Sequence, residues 1–172
     1  HFTMEGMKDY EPPRALTIEE IKQIVQVFKQ AAANAIEAGF DGVELHAAFG
    51  YLPNQFLSES SNHRNDEYGG SIEKRNQFVL EVMQEIVSAI GENKAAIRLS
   101  PTSTYNNMTH QQPVEQFTSL IEHLNKLPLS YIHLMKVPFP ADKFPQYPAD
   151  AIQTFGKISK HPVIANCGYT RE

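Results

Sequence analysis

Four times along the chain, a segment with helical apolar spacing runs within a few residues into a short aliphatic segment of strand character, and nothing else in the sequence restricts the fold as strongly. The first helix opens at Thr17-Ile18-Glu19-Glu20, where the Thr hydroxyl and the Glu carboxylate can satisfy each other's backbone N–H groups. Ile18, Ile21, Ile24, Val25, Phe28, Ala32, Ala35 and Ile36 follow at helical spacing as far as Gly39, and a buried strand is expected at 40–46. Ser71 caps a second helix carrying Ile72, Val79, Val82, Met83, Ile86, Val87 and Ile90, closed by Gly91 ahead of a strand at 95–99. Pro113 opens a third helix, with Val114, Phe117, Leu120, Ile121 and Leu124 on one side, ahead of a strand at 131–135. Residues 149–158 read as a shorter fourth helix and 162–166 as a fourth strand. Units spaced by about 35–50 residues have room for helical crossovers, so the expected class is α/β. It has four parallel strands in sequential order, apolar on both faces, with right-handed crossovers and outer helices.

The connecting stretches carry different signals. Residues 1–16 hold Gly6, Pro12, Pro13 and several charges and read as an extended, exposed lead-in. Residues 52–70 form a polar loop of a length that is usually functional or specially packed, and 137–148 has turn chemistry throughout. Glu73–Arg75 beside Asp66 and Glu67 reads as a solvated, charged helix start.

Composition removes several classes of function. With 172 residues and 41% hydrophobic content, one domain with a sizeable core is expected over 1–172. A formal net charge of -5, a pI near 5.8 and the lack of a Lys/Arg run leave no basic field for nucleic acid or an anionic membrane. Cys167 is the only cysteine, which excludes an internal disulfide and a multi-cysteine zinc site. No apolar run approaches the roughly 20 residues of a membrane helix, and the first residues lack a secretory pattern, so a soluble cytoplasmic protein is expected. His110, His123, His133 and His161 have no Cys, Asp or Glu at metal-ligand spacing; they read as satisfied or exposed, and no metal is assigned.

Chemistry concentrates in FDGVELHAAFGY, residues 40–51. The strand places Asp41, Glu44 and His46 among apolar neighbours, and Gly50 allows a sharp turn that presents His46 and Tyr51 at one rim. Arg98 lies in the otherwise apolar AAIRL run, where a charge reaching solvent at a strand end and a functional guanidinium are equally open readings.

The stretch GFDGVELHAAFGYLPNQFLSESSNHRNDEYGGSIEKR, with MKDYEPPRALTIEEI before it and IRLSP and VIANCGYTRE after it, closely resembles the Old Yellow Enzyme family of FMN-dependent NAD(P)H oxidoreductases. These are (β/α)8 TIM barrels. The resemblance implies that the four strands are the fourth to seventh of the barrel. A whole barrel takes roughly 250 residues, so the expected architecture is a partial TIM barrel, about half of one. It further implies that His46 anchors the carbonyl oxygen of an enone or phenolic ligand and that Tyr51 protonates the substrate carbon; a phenol is protonated at neutral pH and can act as an acid. The family's second donor, Asn or His, is replaced here by Phe49. Arg98 falls where an arginine lies against the flavin, while Cys167 and Gly168 fall where backbone N–H groups approach the FMN phosphate, the cysteine as a packing residue at a glycine-like position. The DEYGGS signature at 66–71 reads as architectural.

Two functions from different classes follow. One is an ene-reductase in which FMN takes hydride from NADH or NADPH and activated alkenes are reduced. The other is a catalytically silent half-barrel that binds flavin weakly or not at all and persists by self-association. In either case a homo-oligomer is expected, because the face that would line a closed barrel core is left open, and apolar patches beyond a few hundred Å² are rare on monomers.

Overall fold

The computed structural model describes residues 2–7, 13–136 and 144–169. A small antiparallel hairpin, β1 (Phe2–Thr3) and β2 (Gly6–Met7), lies at the start, where no regular element was expected. Helix α1 (Ile18–Glu37) begins with the full capping box: Thr17 Oγ1 accepts from the Glu20 N–H at 3.2 Å, and the Thr17 N–H donates to the Glu20 carboxylate at 2.8 Å. Strand β3 runs Val43–Ala47, later than expected, and Phe40 is 67% exposed in the turn before it. Then follow α2 (Leu52–Leu57), α3 (Ile72–Ile90), β4 (Ala95–Leu99), a 3-10 turn at Tyr105–Asn107, α4 (Pro113–Leu124) and β5 (Tyr131–Met135). A π-helical turn at Ile152–Gly156 replaces the regular helix expected at 149–158, and β6 is Val163–Asn166. The turn-rich stretch read at 137–148 lies outside the described residues over 137–143, and the chain from 170 onward lies outside them altogether.

Strands β3 to β6 form one sheet in sequential order, every pair parallel. Its register sets Leu45 beside Ile97, Ile132 and Val163 on one face, and His46 beside Arg98, His133 and Ile164 on the other. The first face is the core. Leu45, Ala47, Ile97, Leu99, Ile132 and Leu134 are buried there against α1, α3 and α4, whose inward residues include Ile21, Phe78, Val82, Met83, Phe117 and Leu120. Truncating any of the larger ones to alanine costs about 2–5 kcal/mol.

The second face corrects the sequence reading, which took the strands as apolar on both sides. Same-parity positions carry Glu44 and His46 on β3, Arg98 on β4, and Tyr131 and His133 on β5. The open face of the half-barrel therefore carries polar residues on all four strands, Asn166 being that of β6, with Ile164 of β6, 42% exposed, as its large exposed apolar side chain.

The segment after β3 is not a plain loop. Pro53 sits in the first turn of α2, whose Phe56 stacks on Phe78 of α3 with ring centroids 4.2 Å apart. The DEYGGS signature builds the approach to α3: Asp66 pairs with Arg64 at 2.6 Å and accepts from the Tyr68 N–H, and a Cβ on Gly69 would lie 2.5 Å from the Arg64 Cβ. Tyr68 is buried and donates to Glu81 at 2.9 Å, and Ser71 caps α3. Arg75 overturns the reading of a solvated helix start. It is 5% exposed, pairs with Glu59 at 2.8 Å and donates through Nε to Gln116 at 3.1 Å.

Candidate active site

The C-terminal end of β3 delivers His46, and the turn behind it is built to return the chain toward that ring. Phe49 adopts φ 54 and Gly50 φ 84, the left-handed region that glycine enters freely and a bulky residue rarely does. Hydrogen bonds hold the turn: the Phe49 N–H donates to Ser100 Oγ at 3.1 Å, the Asn106 amide donates to the Phe49 carbonyl at 2.9 Å, and the Gly50 N–H donates to Asn54 Oδ1 at 2.8 Å. Gly50 is required on a second count, because a Cβ there would lie 2.7 Å from the Asn106 Cβ.

The turn brings together four aromatic side chains. The His46 ring lies 5.1 Å from that of Tyr51 and 6.3 Å from that of Phe49, and Phe49 meets Tyr105 edge-on at 6.1 Å. Tyr51 is 61% exposed and stands at the N-terminus of α2. Burial, and then the charge of Arg98, hold the His46 imidazole below its ordinary pKa against an opposing pull from Glu44, so at neutral pH it is an uncharged ring with one N–H to donate.

Arg98 is the β4 neighbour of His46 in the sheet. Its Nε lies 2.8 Å from Glu44 Oε1 and 3.2 Å from His133 Nδ1, and His133 Nδ1 lies 2.9 Å from Glu44 Oε2. Sequence reasoning missed Glu44 and His133 as members of the site. The signal available was parity: Glu44 and His46 on β3, Arg98 on β4, and Tyr131 and His133 on β5 are polar interruptions two residues apart or alone in apolar strands, which puts each pair on one face. The other histidines behave as expected in part. His123 and His161 reach the backbone carbonyls of Ser119 and Leu124, whereas His110 is 3% exposed with no partner for Nδ1 among the described residues.

Cys167 and Gly168 lie directly after β6, away from this cluster in the chain but at the same end of the sheet. Cys167 has φ 72 and is only partly buried, Gly168 has φ 83, and among the described residues nothing lies within 4 Å of where a Gly168 Cβ would be. A cysteine holding a left-handed backbone fits a position that glycine would otherwise fill.

The strand-end rim thus gathers a neutral histidine donor, a phenol and an ion-paired guanidinium on four parallel strands, and the class of protein is an α/β fold built on part of a TIM barrel. The chain belongs to the NADH:flavin oxidoreductase / NADH oxidase family, whose pattern it matches over residues 3–172. It is 41% identical over 164 residues to 12-oxophytodienoate reductase 1 of Oryza sativa subsp. japonica, covering 95% of this chain and 43% of that protein. To 12-oxophytodienoate reductase 2 of Arabidopsis thaliana it is 46% identical over 127 residues, covering 74% and 34%. The solved Old Yellow Enzyme homologue from Zymomonas mobilis superposes with a TM-score of 0.86 at 32% identity, over 98% of this chain and 47% of that one. The chain thus spans less than half the length of these relatives. Among the described residues no helix is long and apolar enough to cross a membrane.

The residues present fit a flavin mononucleotide. Arg98 engages its neighbours through Nε and keeps a side chain 32% exposed, and among the described residues no hydrogen bond engages its Nη groups. That leaves the edge of the guanidinium that suits an electron-rich carbonyl. The open backbone at Cys167 and Gly168 suits close approach of a phosphate oxygen.

Proposed function

We propose that this chain carries the substrate-anchoring half of an FMN-dependent NAD(P)H oxidoreductase that reduces activated alkenes such as enones. The observation that carries the reading is the rim itself: His46 within 5.1 Å of Tyr51, ring to ring, with Arg98 beside His46 in the sheet. FMN, when bound, supplies the hydride, with NADH or NADPH as reductant; Arg98, His46, Cys167 and Gly168 are the residues of this chain that would hold it. His46 donates its N–H to the carbonyl oxygen of the enone or phenolic ligand, which favours the negative charge that develops there. Tyr51 lies exposed at the mouth, and its hydroxyl is the acid that would give a proton to the alkene carbon. Phe49 occupies the family's second donor position with a ring that can pack against the ligand but cannot donate, so the oxygen is held by fewer bonds. The test is NADPH-driven reduction of cyclohexenone by the FMN-supplemented chain beside His46→Ala. Turnover in the parent with a loss of about a hundredfold in the variant supports the reading, and equal rates overturn it.

The sheet's edges favour a second reading. Strands β3 and β6 each have a partner on one side only among the described residues, and open edges invite pairing with another chain. A silent half-barrel that associates with a second copy fits this. Sedimentation of a 19.4 kDa monomer at high concentration would exclude it.

A further inference from the structure

We infer that Glu44 is the positioning residue of the rim: one carboxylate fixes both the direction of Arg98 and the tautomer of His133. The inference goes beyond the proposed function, and its importance to turnover rests on that reading, although the clamp itself does not.

The argument is a count of protons. The guanidinium has a single Nε–H, and an ionised carboxylate can only accept. His133 Nδ1 lies within reach of both the Arg98 Nε–H, at 3.2 Å, and Glu44 Oε2, at 2.9 Å. If Nδ1 carried a lone pair it would face the carboxylate lone pairs at 2.9 Å, and the one Nε–H would have to serve two acceptors. If Nδ1 carries the proton, each carboxylate oxygen receives a donor, Oε1 from Arg98 at 2.8 Å and Oε2 from His133, with lone pairs left for the Tyr131 hydroxyl, which also bonds this carboxylate. The 3.2 Å contact between the two nitrogens is then a consequence of sharing a carboxylate and not a bond. The far side of the ring agrees. His133 is 5% exposed and its Nε2 has no partner among the described residues, and a buried acceptor left alone costs less than a buried N–H left alone. The geometry therefore places the ring proton of His133 on Nδ1.

Glu44 sits one row below Arg98 and His133 in the register, beside Ala96 and Tyr131. Its carboxylate must reach diagonally to Arg98 on β4 and to His133 two strands away on β5. Holding Arg98 at Nε alone leaves the Nη edge for a ligand, and the donor from His133 keeps the carboxylate from rotating to take an Nη group.

The experiment is nitrogen-15 NMR on the 172-residue chain without flavin, reading the His133 ring nitrogens and the exchange rate of the Arg98 Nε–H. In the parent, His133 Nδ1 should show the protonated shift and the Arg98 Nε–H should exchange at least about tenfold more slowly than those of exposed arginines. Glu44→Gln keeps the shape but offers one acceptor and one donor. Arg98 takes the acceptor, so the amide N–H faces His133 Nδ1 and the proton must move to Nε2. A swap of the two ring shifts in Glu44→Gln confirms the clamp. An Nε2-protonated His133 in the parent overturns it, as does an unchanged pattern in a folded Glu44→Gln. If the variant does not fold, the parent spectrum alone decides. A parent with the expected pattern that fails to bind FMN would defeat the flavoenzyme reading while leaving the clamp in place.

Discussion

Replacing Phe49 by Asn should tighten phenolic ligands with little change in stability. Phe49 holds φ 54, and the left-handed region costs an ordinary L-residue about 1–2 kcal/mol, part of which Asn recovers because its short side chain tolerates that conformation. Against this stands the lost edge-on contact with Tyr105, ring centroids 6.1 Å apart at 88°, a geometry worth about 0.5–1.5 kcal/mol. The two nearly cancel. The hydrogen bonds at this residue, to Ser100 Oγ and from Asn106, use only its backbone and survive the change. The gain is a second donor to a charged oxygen next to His46, whose ring is 6.3 Å from that of Phe49. A hydrogen bond to a charged group contributes about 1.5–3 kcal/mol, or about a 10- to 150-fold lower Kd. Spectral titration of the FMN-loaded proteins with a phenol reads the affinity, and thermal unfolding reads the stability. A folded, FMN-loaded variant with no gain in phenol affinity would show that position 49 does not face the ligand.

Tyr51→Phe should slow alkene reduction by about 10²–10⁴-fold while flavin reduction by NAD(P)H proceeds at the parent rate, which stopped-flow separation of the two half-reactions can check; equal slowing of both would remove Tyr51 from the proton-donor role. Arg75→Ala should destabilise the chain by about 3–5 kcal/mol in urea unfolding, because it strands the Glu59 carboxylate and Gln116 in a largely buried network; a loss under about 1 kcal/mol would mean the network is dispensable. Burial, assisted by the Arg75 charge, holds His110 down to about 4 in the folded state. Since the unfolded chain binds that proton near pH 6.5, stability should be complete above that pH and fall as pH drops toward 4, by about 3 kcal/mol at most. Urea midpoints at pH 7 and 4.5 should therefore lie closer together in His110→Leu than in the parent, and an equal separation would contradict the assignment.

Much of the frame is legible in the sequence because its signals are local. The Thr17–Glu20 box, the Ser71 cap, Pro113 at a first turn, and the bounds of β4 and β5 each depend on a few neighbouring residues. The misses have equally physical causes. Helix α2 is six residues long, has no side-chain cap, and is held by the Phe56–Phe78 stack, a contact that apolar spacing over so short a run does not announce. Arg75 looks like surface charge until Glu59 and Gln116 close over it from 16 and 41 residues away. At the rim, the motif residues His46, Phe49 and Tyr51 are near neighbours in sequence, but Glu44 and His133 are 89 residues apart and meet only through the strand register. Parity shows that each points to one face of its own strand; which residues share a row requires the sheet.

The central claim, that the rim of this half-barrel is a flavin and substrate site organised by His46, Tyr51 and Arg98, is tested most directly by titrating the chain with FMN and following flavin fluorescence, beside Arg98→Ala checked for an unchanged far-ultraviolet circular dichroism spectrum. The account predicts saturable quenching by the parent and an affinity at least about tenfold weaker in the variant. A parent that never saturates, or a folded Arg98→Ala that binds as the parent does, would contradict it.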